Sequence, residues 1–183
     1  RSFAATAFPK MSKPSINQDI MMGRYYFYSY SGSITILFIP VVLIGFFFSD
    51  FFVLLLGGDK YIGFDPETGA SAGAIFKIFA LYGLLLPLDR LTGVGLDSIN
   101  KPRKNFYKII FMVLANIVGD LIAVFIFKSL MAVAVVTVIF TLIGLIIGYY
   151  YLNKELNLKF KLVFIEGFKV YTDKAKVFLG GRK

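Results

Sequence analysis

The sequence predicts an all-α protein: a polytopic membrane helix bundle of four transmembrane helices followed by an amphipathic C-terminal tail. Three observations carry this. Of 183 residues, 57% are hydrophobic and only 17% charged, whereas soluble domains run near ~45–50% apolar with about a quarter charged. The charges are clustered, which leaves apolar stretches long enough to span a bilayer. The Lys and Arg excess, a net charge of +9, falls in three blocks separated by that apolar sequence.

Composition also narrows the chemistry. The chain has no Cys and no His. That excludes a disulfide framework and a thiolate metal site, and it removes the commonest general base and zinc ligand. No carboxylate pair stands at catalytic spacing, so no enzymatic activity, metal or other cofactor is expected. Trp is absent too, but 11 Tyr and 21 Phe are available for the interfacial belts.

Residues 1–24 read as the end of a truncated helix, stopped at Pro9, and a basic cytoplasmic linker. The opening on Arg1 rather than Met leads us to expect part of a longer protein. Ser15, Asn17, Gln18 and Asp19 form a helix-start cluster. Tyr25, Tyr26, Tyr28 and Tyr30 mark entry into a membrane bundle over residues 25–152. Its first helix covers about 28–56, with no charge from Ile34 to Phe48; Pro40 and Gly45 are tolerable there. Residues 57–73 form a polar, acidic loop. The second helix covers about 74–99, the third 104–127 and the fourth 130–152. On the fourth, Ala132, Ala134, Thr137, Thr141, Gly144 and Gly148 form a small-residue face suited to close packing. Residues 153–183 form a basic amphipathic tail, with Phe160, Phe164, Phe168, Tyr171, Ala175 and Phe178 at helical spacing. It is expected to lie on an anionic membrane surface. A short strand over residues 158–162 is the competing local reading.

Lys/Arg bias in short loops sets membrane orientation. With four spans, the N-terminal block, the turn at Lys101, Arg103 and Lys104, and the tail all fall on one side. That side is expected to be cytoplasmic. Lys101, Arg103, Lys104, Lys159, Lys161 and Lys169 are the expected contacts to the membrane surface. The partner is the lipid bilayer, with no nucleic acid.

Ionisable groups inside a span are costly and tend to mark function. Asp89 and Arg90 are sequence neighbours, so on a helix they point about 100° apart and each needs another partner. Asn105, Lys108, Met112, Asn116 and Asp120 share one face of the third helix at steps of three and four. That face is expected to point inward. Asp89, Arg90, Asn116 and Asp120 therefore stand as candidates on two readings. They form an intramembrane ion pair, Arg90 with Asp120, locking two helices together. Alternatively they line a pathway for an anionic substrate or a coupling ion.

Three segments resemble a known family. FPKMSK (residues 8–13) resembles an "FPxLS" segment, and LLLGGDKY (54–61), following the Pro40 helix, resembles a "P…LLFGxxY" stretch. Residues 75–104, ending in DSINKPRK, resemble an "ILxILA…LxAxGKPR" segment. In order and spacing they resemble the C-terminal lobe of the oligosaccharide flippases, which serve O-antigen lipopolysaccharide and capsular polysaccharide biosynthesis. These form the polysaccharide branch of the superfamily that also holds the multidrug and toxin extruders. The GFDPETGAS stretch (63–71) departs from the compact pattern. The resemblance implies a bacterial inner-membrane transporter. It would flip an undecaprenyl-linked oligosaccharide and would need an N-terminal lobe besides these helices. A drug/cation antiporter of the same fold and a non-transporting membrane scaffold are the alternatives.

The orientation is testable in a chain with no native cysteine. A cysteine placed at Glu67 is expected to react with an impermeant maleimide added outside, and one at Lys101 to be spared. The reverse pattern overturns the orientation.

Overall fold

The computed structural model describes residues 2–16, 19–63, 65–66 and 70–180. Among them the chain is helical almost throughout: α1 (Ser2–Ile16), α2 (Ile20–Phe47), α3 (Ser49–Gly57), α4 (Ala72–Ser98), α5 (Pro102–Phe125), α6 (Leu130–Leu156) and α7 (Phe160–Gly180). A 3-10 turn at Asp59–Tyr61 and an isolated bridge between Asp65 and Ala70 occupy the loop before α4. Asn17, Gln18 and Glu67, named above, lie outside the described residues.

Helix starts are set by short polar side chains. Asp19 Oδ1 accepts the Met22 amide at 3.0 Å, and Ser71 Oγ accepts the Ala74 amide at 3.1 Å. Each meets one of the unpaired amides of a first turn. Helix ends use left-handed residues: Asn100, Lys128 and Asn157 have φ of 60°, 48° and 49°. Asn tolerates that region through its short polar side chain, as these two tight reversals require.

The structure shifts several boundaries. Pro9 does not end α1, which runs on to Ile16 and carries Lys10 and Lys13 on a helix rather than in a linker. A proline removes one hydrogen bond; the turns on either side hold the rest. The first predicted span divides at Phe48 into α2 and the short α3. α6 extends to Leu156, and the tail from Phe160 is α-helix, not strand. Pro40 and Pro87 both lie inside continuous helices.

α2, α4, α5 and α6 are each long and apolar enough to cross a membrane. α5 shows why lipid is the solvent. Its outer face carries exposed Phe106, Tyr107, Ile110, Phe111, Leu114, Ile117 and Val118. Its covered face holds Asn105 and Lys108, with Asn116 and Asp120 only half-exposed. Grease outside and polar groups inside reverses the order water imposes. The protein is a multi-pass membrane protein whose partner is the bilayer.

The chain divides into two compact units, and all four long helices contribute to both. Unit 1 comprises Arg1–Leu37, Pro87–Phe106 and Ile147–Lys183. Its core holds Met11, Phe27, Leu96, Leu152 and Val163, all essentially inaccessible. A Cβ on Gly95 would press on Leu152 Cδ2 at 2.9 Å, with Met11 Cε at 3.5 Å. All three basic blocks belong to this unit. Unit 2 comprises Phe38–Leu86 and Tyr107–Ile146. Phe52 stacks on Phe76 at 5.8 Å. Gly119 faces Val136 and Phe140, and Gly144 faces Met112 so closely that a Cβ would overlap its thioether. Ala134, Thr141 and Gly144 of the predicted small-residue face are buried in this unit, and Gly148 is buried in unit 1.

One close approach is backbone on backbone. Gly32 of α2 meets Gly167 of α7, and a Cβ on Gly32 would overlap the Val163 carbonyl oxygen. Two backbones cannot relax as a side chain does. Gly167→Ala is therefore expected to cost about 1–3 kcal/mol, the usual range for overpacking, or more. Unfolding in graded SDS checks this; unchanged stability would show that α7 is not seated on Gly32.

Candidate functional site

α5 sets up the polar face. Its period places Met112, Asn116 and Asp120 on one side, and Gly119 and Gly144 let α6 come close enough to cover it. In unit 2 a cavity of about 240 Å³ opens beside this face. It is lined by Tyr82, Met112, Asn116, Thr137, Phe140 and Thr141, among others. Thr137 Oγ1 donates to the Val133 carbonyl at 3.1 Å, which leaves its lone pairs free for a donor in the cavity. Asp120 lies one turn along α5 from Asn116. Its Oδ1 is shielded from solvent and accepts no hydrogen bond. A shielded carboxylate oxygen with no donor is costly, more so inside a membrane span.

In unit 1 several polar and charged side chains are paired. Asn105, 9% exposed, donates through Nδ2 to both carboxylate oxygens of Asp97 at 3.0 Å. This ties the end of α4 to the start of α5. Glu155, near the end of α6, accepts Lys104 Nζ at 3.0 Å and lies 3.5 Å from Lys101 Nζ. Lys104 also stands 5.3 Å from the centre of the Tyr151 ring, and Lys154 stands 4.7 Å from that of Tyr150. These cation–π contacts hold lysines at the level of the tyrosine belt. Arg103, Lys159 and Lys161 are exposed. Lys169 is bonded to Glu166 at 2.6 Å, and that bond raises its pKa above the ordinary lysine value.

α2 contributes a run of hydroxyls. Ser29, Ser31, Ser33 and Thr35 are all buried. Ser33 Oγ donates to the Ser29 carbonyl and Thr35 Oγ1 to the Ser31 carbonyl at 2.7 Å. Turned back on the helix, a hydroxyl needs no other acceptor and occupies little room. α7 crosses this segment. The Lys159 amide donates to Tyr28 Oη at 2.6 Å, Val163 and Gly167 meet Gly32, and Tyr171 Oη donates to the Ser33 carbonyl at 2.6 Å. Burial raises the Tyr171 pKa, so the phenol stays protonated and able to donate. Five steps along α2, from Tyr28 to Ser33, thus match twelve steps from Lys159 into α7 at Tyr171, roughly 7 Å of one axis against roughly 18 Å of the other. α7 crosses α2 steeply.

The sequence candidates part company here. Asn116 and Asp120 fall in unit 2, on the covered face expected for them; Asp89 and Arg90 fall in unit 1. Asp89 is half-buried and Arg90 exposed. Among the described residues neither Arg90 nor Asp120 makes an ion pair within its own unit. The 100° stagger that turns Arg90 away from Asp89 also turns it to the outside of its helix. Sequence reasoning missed Glu155, Tyr28 and Tyr171. Only the last two had a local signal, as belt or stripe aromatics, and that signal assigned them to lipid. It also missed the Ser29–Thr35 ladder, although SYSGSIT is legible as small polar residues entering a span. Among the described residues no three His, Cys, Asp or Glu side chains gather as metal ligands.

Asn105→Leu leaves the Asp97 carboxylate without both donated bonds. A loss of about 1–3 kcal/mol is expected in thermal unfolding in detergent. For the charges, the double exchange Arg90→Asp with Asp120→Arg is expected to restore no more protein than either single change; recovery would show the two to be partners. No family model, curated protein or solved structure matches this chain.

Proposed function

We propose that this chain is the C-terminal part of a transporter that flips lipid-linked oligosaccharide across the bacterial inner membrane for surface polysaccharide biosynthesis. The observation that carries the reading is the succession of FPKMSK, LLLGGDKY and the segment ending in KPRK, set on helices of spanning length. Each motif is loose; their order and spacing are what resemble the flippases.

The architecture supports a part rather than a whole. Alternating access needs two bundles rocking about a site between them. Four spans supply part of one bundle. Only 11% of the apolar window of α5 is buried and 28% of that of α2, so most of their surface is free for lipid or further helices. The 240 Å³ cavity in unit 2 is small for an oligosaccharide. In this reading the pathway is completed by an N-terminal lobe, and the Asn116–Asp120 face of α5 is the polar wall this chain supplies. Substrate and lobe meet in the membrane, with α7 and the C-terminus on the cytoplasmic side. The gathering of all three basic blocks in unit 1 favours that orientation.

Reconstitution decides it. In proteoliposomes holding a fluorescent polyprenyl-diphosphate oligosaccharide, the 183-residue chain alone is expected to flip no more than empty vesicles. A two-lobed protein containing it is expected to flip the lipid. Flipping by the chain alone overturns the two-lobe division, and failure of the two-lobed protein overturns the function.

A further inference from the structure

α7 uses only part of its circumference in the fold. At about 100° per residue, Val163 and Gly167 form the edge seated on Gly32. Phe160, Phe164 and Phe168 follow within an arc of about 80° on the neighbouring side. All three are exposed, Phe168 by 60%, and Ile165 beyond them is exposed by 50%. Phe160 and Phe164 pack edge to face at 5.6 Å, which makes the row continuous, and Tyr149 of α6 closes its first end at 5.7 Å. Lys161 stands just past the aromatic arc and Lys159 precedes it. Both are exposed, and neither makes an ion pair among the described residues.

The roll of α7 is fixed, so the row cannot turn inward. Bonds to Tyr28 and Ser33, on either side of the Gly32–Gly167 contact, set its orientation against α2. Because α7 crosses a span steeply, its axis runs closer to the membrane plane than to the membrane normal. The exposed side then presents aromatic rings toward the acyl boundary with lysines at their margin. An interfacial helix needs that arrangement: apolar area buried at the boundary and cations level with phosphate oxygens.

We propose that the edge Phe160–Phe164–Phe168, with Lys159 and Lys161, is a binding surface for anionic phospholipid that anchors α7, and through it the Ser29–Ser33 turn of α2, to one leaflet. The expected tail–membrane contact thereby acquires a defined face. Tyr171 is excluded from it, being engaged with α2, and Lys169 is withdrawn by Glu166. The proposal goes beyond the transport reading and does not depend on it.

The lack of tryptophan provides a clean reporter. Phe164→Trp in the full chain is placed in nanodiscs of phosphatidylcholine, with and without phosphatidylglycerol, carrying bromine high on the acyl chains. Blue-shifted emission quenched by bromine, more strongly with phosphatidylglycerol, is expected. The inserted population should fall about five-fold for each of Lys159 and Lys161 changed to Gln. Phe168→Trp repeats the measurement if the first variant expresses poorly. Water-like, unquenched emission in anionic discs overturns the proposal. So does quenching indifferent to phosphatidylglycerol, or a reporter shielded by a second copy of the chain.

Discussion

Hydrocarbon offers no hydrogen bonds, and that single deficit organises this protein. Every amide within a span must be met by the helix itself, which is why the described residues are helical almost throughout. Every polar side chain in a span must then find an acceptor or donor in the protein. Ser33 and Thr35 bond to carbonyls of their own helix, Asn105 takes Asp97, and Glu155 takes two lysines. Asp120 Oδ1, like the Ser29, Ser31 and Ser49 hydroxyls, is shielded among the described residues without such a partner. Of these it is the only carboxylate oxygen, and it lies on the same face of α5 as Asn116.

The same constraint governs how helices meet. With no hydrophobic gain available between spans, contact area must come from close approach. Gly32 on Gly167, Gly119 under Phe140 and Gly144 against Met112 are three such approaches. The first differs in kind, because it joins a span to a helix that is not one. It lets a charged, aromatic helix sit against a membrane segment without burying its lysines. The residual exposure of the four spans follows from the same economy: small residues mark the faces meant to meet protein, and large aliphatic ones are left to lipid.

The sequence by itself determined the solvent, and with it the class of fold. Charge-free runs of spanning length, tyrosines at their ends and lysines in three blocks suffice for four helices, because each of those signals is local. The polar stripe on α5 was legible for the same reason: residues three and four apart share a face wherever the helix is placed. What sequence could not supply was partnership across distance. Glu155 lies 51 residues from Lys104, and Tyr171 lies 138 from Ser33; no period links them. Arg90 and Asp120 looked like natural partners by depth along their helices, but depth says nothing of the direction each charge takes around its axis. Tertiary structure decided that two glycines, each ordinary in its own segment, form the contact on which α7 is seated.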